Sequence, residues 1–130
     1  MISMNVLRFS VGVFIVCLAF LLVGRANASA QCGKASWYAL SGTTASGEKA
    51  DPRGLTAAHR TLPFGTLVRV ENLRNGRSVT VKVNDRGPFR PGRIIDVTRR
   101  AADRLGFVRS GVARVRISVP KQAGLLRKDC

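Results

Sequence analysis

The chain has 130 residues, with 22 Lys and Arg against 7 Asp and Glu and a formal net charge of +15. That length admits one domain and no second. A positive balance this strong, carried mostly by Arg, calls for an anionic partner; nucleic acid fits poorly, because aromatic residues for base stacking are only 6% of the chain.

The N-terminal stretch reads as something other than domain. Phe9–Val23 is a predominantly apolar run, preceded by Arg8 and followed by Ala26-Asn27-Ala28 and Ala28-Ser29-Ala30. That is the layout of a secretory signal peptide, with the cut expected after Ala30. The run is short for a spanning helix, which needs roughly 20 apolar residues. Val16 before Cys17 is not the small residue that lipid attachment requires, so no stable membrane anchor is expected after cleavage. The expected organisation is therefore a signal segment over 1–30 and one domain over 31–130, exported to the periplasm or secreted. Two cysteines then stay, Cys32 and Cys130, at the two ends of the remaining chain. An oxidising compartment predicts a disulfide between them. Two distant cysteines and one His are too few for a metal site.

In chain order, Gly33–Ala39 reads as a first strand, and the Ser-, Thr-, Gly- and Pro-rich stretch Leu40–Gly54 as a long loop. Leu55–His59 reads as a short strand, Pro63-Phe64-Gly65 as a turn and Thr66–Asn72 as a further strand. Asn75-Gly76 is the strongest hairpin signal. After it Val79, Val81 and Val83 alternate with Ser78, Thr80 and Lys82, the period of a half-buried strand. Asp85-Arg86-Gly87-Pro88 breaks it. Ile94–Val97 predicts a short strand, Thr98 a helix N-cap, Arg99–Leu105 a helix and Gly106 its stop. Val112–Val119 predicts a closing strand with Ala113, Val115, Ile117 and Val119 on one face. Several short strands with one short helix imply a small closed barrel.

Three residues carry candidate chemistry. Asp85 is in phase with Val79, Val81 and Val83, so its side chain is expected to start toward the buried face. A carboxylate at an apolar rim is partly desolvated, which suits a general acid. Asn-Asp and Gly-Pro are also turn residues, and from the residues alone loop bracing stands level with catalysis. Glu48 reads first as a solvated charge, and His59, the only His, as a structural residue. If the three converge, two carboxyls flanking a sugar linkage make glycosidic cleavage possible. Trp37 or Tyr38 could stack on a sugar, although core filling is the safer reading for Trp37. Phe89 reads equally as groove wall or loop anchor, and Arg86 is a further candidate for substrate contact.

Ala35-Ser36-Trp37-Tyr38, Thr44-Ala45-Ser46-Gly47-Glu48, the run LTAAHRTLPFGT, VNDRGPF and GRIIDVTRRAADRLG, in this order, resemble the rare lipoprotein A family of lytic transglycosylases. The resemblance spans Gly33 to about Val119. It implies a mainly β fold, a small six-stranded double-psi β-barrel with one or two short helices. It implies cleavage of peptidoglycan glycan strands by a monomer needing no metal or other cofactor, with Asp85 as acid and then base. Glu48 would steady positive charge at the sugar C1, and His59 would hold a carboxylate or a substrate group. An expansin-like, non-catalytic wall-binding protein is the alternative, since expansins share this barrel. The sequence departs from the family in four ways: the lipobox is missing, the length leaves no room for the C-terminal glycan-binding repeat domain of longer members, the loop after Tyr38 is short, and Ala50 stands where an aromatic usually follows the Glu.

Overall fold

The computed structural model describes residues 29–120. Of the expected signal segment 1–30, residues 1–28 lie outside the described residues, as does Cys130, while Ser29 and Ala30 belong to the first strand. Six strands and one helix follow in order: β1 (Ser29–Tyr38), β2 (Thr56–Ala58), β3 (Leu67–Asn72), β4 (Ser78–Asp85), β5 (Arg93–Thr98), α1 (Arg99–Leu105) and β6 (Val112–Val119). The strands close into a barrel in the order β1-β5-β2-β4-β3-β6. It is a mixed barrel: β1 runs parallel to β5 and β2 parallel to β4, while the other neighbours are antiparallel. Closure removes the sheet edges that a short-stranded sheet would otherwise expose.

The alternation of Val with polar residues builds the barrel interior. Val68 and Val70 on β3, Val81 and Val83 on β4, and Val115 and Ile117 on β6 are all at most 1% exposed. Each such side chain contributes about 1.5–3 kcal/mol relative to exposure. Two expected boundaries shift. β1 begins at Ser29 rather than Gly33, because β6 supplies antiparallel partners back to Val119 opposite Ser29. Asp85 is still in β4 rather than in the break after it. The hairpin between β3 and β4 turns at Asn75-Gly76 as expected, closed by Gly76 N–H donating to the Asn72 carbonyl at 2.8 Å.

Helix α1 covers one side of the barrel with Ala101, Ala102 and Leu105 buried. Thr98 caps it: its Oγ1 accepts from Ala101 N–H at 3.4 Å and donates to the Gly54 carbonyl at 2.6 Å. Gly106 ends it in the left-handed region, φ 78°, where a side chain would be strained and would meet Asn75 Nδ2 at 2.9 Å. The Asn72 and Asn75 amides both donate to the Leu105 carbonyl at 2.9 Å, so the hairpin supplies the helix C-terminus with its missing partners. The buried Thr98 joins the helix start to the long loop after β1. Thr98→Ala should lower stability by about 1–2 kcal/mol, measured by denaturant unfolding, with the barrel retained.

Candidate active site

Register places the functional side chains. Ser36 on β1 stands opposite Asp96 on β5, Asp96 opposite Ala58 on β2, and Ala58 opposite Asp85 on β4. Cross-strand partners point to one face of a sheet, so these four residues form a row across four adjacent strands. Asp85 reaches this row through an irregularity that the alternation of β4 does not announce. The β2–β4 register shifts between Ala57 and Ala58, setting Val83 opposite Ala57 and Asp85 opposite Ala58. Asn84 is the additional residue, and Val83 and Asn84 are buried in succession. The expectation that Asp85 shares the buried face of Val83 is therefore corrected: the slip turns it to the opposite face, half-buried at the end of the strand.

The TASGE segment forms a turn over the end of β4. Thr44 N–H and Oγ1 both donate to the Glu48 carbonyl, at 2.8 and 3.0 Å, and Ser46 N–H donates to the Asn84 carbonyl at 3.1 Å. The turn aims Ala45 N–H at Asp85 Oδ1, 3.0 Å away, and Arg86 N–H donates to the same oxygen at 2.9 Å. One carboxylate oxygen is thus fixed by two backbone donors, and Oδ2 is left for other chemistry. Glu48 meets β4 differently. Its Oε1 accepts from Lys82 Nζ at 2.9 Å and its Oε2 from Asn84 Nδ2 at 3.3 Å. Those two hydrogen bonds hold its carboxyl below the usual range, so it is ionised at neutral pH.

His59 is buried beneath the site and occupied on both ring nitrogens. Nδ1 accepts from Thr61 N–H at 3.2 Å and Leu62 N–H at 3.1 Å, which leaves the proton on Nε2, 3.4 Å from Gln31 Oε1. Its backbone N–H donates to the Asp85 carbonyl at 3.2 Å. Burial, then the charges of Arg86 and Arg60, push its pKa down to about 4. It is a neutral ring that shapes the turn after β2, beside Asp85 through the main chain. Arg86 donates to the His59 carbonyl at 3.1 Å and the Leu62 carbonyl at 2.7 Å, with its guanidinium 4.0 Å from the Phe64 ring centre. Arg60 holds the loop beyond Asp85 through the Pro88, Arg90 and Arg93 carbonyls.

Beside the row lies a cleft of ≈ 340 Å³, walled by Trp37, Arg86, Phe89, Arg90 and Arg93, with Ser36 and Asp96 at its side. Phe89 is 79% exposed, so it is a wall of the cleft and not an anchor of the loop. Gly87 precedes it at φ 117°, a backbone shape that favours glycine and swings the loop around the cleft. Trp37 packs on the core with its indole N–H donating to the Val108 carbonyl at 3.1 Å, and it also lines the cleft. Tyr38 lies on the face of Ser36, and its hydroxyl is buried near Thr56 without a partner in hydrogen-bonding geometry. Burial, then the charges of Asp85 and Asp96, push that hydroxyl up to about 12. The sequence reading singled out neither Ser36 nor Asp96 as functional. The available signal was a carboxylate between the core residues Ile95 and Val97, which alternation puts on the outer face.

A family model described as lytic transglycolase, a double-psi β-barrel domain, matches residues 30–117. The chain belongs to this family. An "Endolytic peptidoglycan transglycosylase RlpA" of Neisseria meningitidis is 52% identical over 98 residues, covering 72% of this chain and 41% of that protein. A "Probable endolytic peptidoglycan transglycosylase RlpA" of Nostoc is 63% identical over 76 residues, covering 58% of this chain and 20% of that protein. The chain thus spans well under half the length of these relatives. Among solved structures, the Streptomyces papain inhibitor superposes with a TM-score of 0.59 at 25% identity, covering 69% of this chain and 93% of its own. A Clavibacter michiganensis expansin variant in complex with cellohexaose superposes at 0.55 with 21% identity, over 73% of this chain and 52% of its own, a likeness of fold.

In this double-psi barrel the buried neutral His59 has a measurable consequence. Between pH 6.5 and about 4 the unfolded chain binds a proton at this position that the folded chain does not. Stability from His59 is therefore full above pH 6.5 and falls as the pH is lowered through that window. His59→Asn keeps an acceptor near the Thr61 and Leu62 amides and removes the titration. The difference in melting temperature between wild type and this variant should shrink steadily from pH 6.5 to 4.5; a constant difference would contradict a neutral, buried ring.

Proposed function

We propose that this domain is an exported peptidoglycan lytic transglycosylase, acting outside the cytoplasm on the bond between N-acetylmuramic acid C1 and the N-acetylglucosamine O4. The observation that carries the reading is Asp85, set at the end of β4 with Oδ1 fixed by the Ala45 and Arg86 amides and Oδ2 unengaged. The names of the relatives support the same reaction class.

Asp85, protonated on its second oxygen, gives that proton to O4 as the C1–O4 bond breaks. The muramoyl C6 hydroxyl oxygen then attacks C1, and Asp85 takes the hydroxyl proton. The products are a 1,6-anhydromuramoyl end and a free O4 hydroxyl; no water is consumed and Asp85 finishes as it began. Acid and base work by one group is effective when the group is held at the reacting atoms. Glu48 serves by holding the TASGE turn on β4 through Lys82 and Asn84, which keeps Ala45 N–H on Asp85. His59 orders the turn after β2 that meets the Asp85 carbonyl. Trp37 and Phe89 offer aromatic faces to sugar rings, with Arg86 and Tyr38 bordering the same site.

Asp85→Asn keeps shape and loses the transferable proton. It should lower release of anhydromuropeptides from purified peptidoglycan by about 10²–10⁴-fold, read by mass spectrometry, with sacculus binding unchanged. Wild type that binds sacculi and releases nothing would establish the expansin-like reading instead. Wild type and Asp85→Asn cleaving alike would remove Asp85 from the chemistry.

We also propose the Cys32–Cys130 disulfide. Cys32 sits on β1 opposite Arg116 of β6, close to where the chain leaves the barrel at Pro120. Extended chain covers roughly 3.3 Å per residue, so the segment from 121 to 130 is long enough to return to β1. Closing a loop this long stabilises by up to about 4–5 kcal/mol in the chain-entropy picture. Thiol titration of the denatured, unreduced, exported protein should find none; two thiols would sink the pairing.

A further inference from the structure

In the reaction above, positive charge grows at the muramoyl C1 as the bond to O4 breaks, and Asp85 is occupied with the proton. Glu48 is poorly placed to answer that charge: Lys82 and Asn84 take both of its oxygens, and it sits on the solvent side of the TASGE turn. Asp96 has the opposite character. It is half-buried, it lines the cleft, and Ser36 Oγ donates to its Oδ1. We propose that Asp96, which lines the cleft beside the row that holds Asp85, is the second catalytic carboxylate, facing the charge that develops at C1, and that Ser36 is its positioning residue. The proposal rests on the transglycosylase reading.

Three observations carry it. The first is register: Asp96 and Asp85 flank Ala58 in one row, one strand to each side. Neighbouring strands lie about 4.8 Å apart, so the two backbones are about 10 Å apart and the carboxylates can stand on either side of one sugar linkage. Carboxyl pairs that do so are about 5–9.5 Å apart. The second is Tyr38, on the same face as Ser36, whose buried hydroxyl lies close enough to both Asp85 and Asp96 to be shifted by their charges. The third is electrostatic. The other ionisable residues that line the cleft are Arg86, Arg90 and Arg93. Without Asp96 that lining would carry positive charge alone, the wrong field for a developing cation. Asp96 forms no bond and moves no proton in this role. Its one fixed oxygen, bonded to Ser36, sets the direction of the other.

The test compares wild type, Asp96→Asn, Ser36→Ala, Ser36→Thr and Asp85→Asn on the same purified peptidoglycan, with anhydromuropeptide release, sacculus binding and melting temperature read for each. Asp96→Asn should lower kcat on the order of 10²–10³-fold, with KM, binding and melting temperature near those of wild type. Ser36→Ala should lower kcat by about tenfold at unchanged KM, and Ser36→Thr, which restores the hydroxyl, should recover most of it. Asp96→Asn cleaving at the wild-type rate overturns the proposal, as does a loss explained by a fall in melting temperature or by Ser36→Thr failing as Ser36→Ala does. Wild type silent on peptidoglycan defeats the transglycosylase reading and this proposal together; active wild type with active Asp96→Asn defeats this proposal alone.

Discussion

The site depends on a slip of one residue in the parallel pairing of β2 with β4. With regular pairing past Ala57, Asn84 would stand opposite Ala58, and Asp85 would follow Val83 to the buried face. Because the register shifts there, Asp85 joins Ala58 and Asp96 instead. A carboxylate inside the Val-lined barrel would face a desolvation cost of several kcal/mol, so the slip and the chemistry are one device. It also explains why the turn at 44–48 packs where it does. The end of a slipped strand has main-chain groups without ladder partners, and Ser46 N–H meets one of them at Asn84.

Much of the basic character near the site is architectural. Arg60 and Arg86 direct their guanidinium groups at backbone carbonyls on the turn after β2 and on the loop from Pro88 to Arg93. These segments lack regular ladders, and arginine's fan of donors satisfies several carbonyls at once. The two charges also help to keep His59 neutral, after burial. The charge that sequence analysis assigns to an anionic partner is thus divided. Part of it braces the cleft walls, and part, such as Arg90, is displayed on the cleft lining.

The strands, the helix and its two caps were legible because each rests on local chemistry: alternating Val, an Asn-Gly turn, a Thr N-cap and a Gly stop. Barrel closure followed from strand number and length. The face of Asp85 was not legible, because β4 alternates cleanly up to Val83 and the slip shows only in its pairing with β2, a strand distant in sequence. The same holds for Asp96. Alternation alone puts it opposite Ile95 and Val97, but its meaning comes from Ala58 lying between it and Asp85, a long-range fact. His59 was weighed first as a structural residue, and its ring accepts from the Thr61 and Leu62 amides, groups that lie close in the chain. The motif matches drew attention to Glu48, but its bonds to Lys82 and Asn84 depend on how the turn docks.

A barrel of this shape superposes on a papain inhibitor and on an expansin holding cellohexaose. The fold therefore constrains function weakly, and what the barrel does depends on the side chains it presents. What separates a cleaving cleft from a binding cleft is where charge is balanced before substrate arrives. Glu48 is balanced already, by a lysine 2.9 Å away. Asp85 and Asp96 are each held by neutral donors on one oxygen, two amides in the first case and a hydroxyl in the second. Neutral donors orient a carboxylate without cancelling its charge, which keeps its field available to a proton or to a cationic carbon. That difference in partners, more than the number of acidic residues nearby, sets the row from Ser36 to Asp85 apart from Glu48.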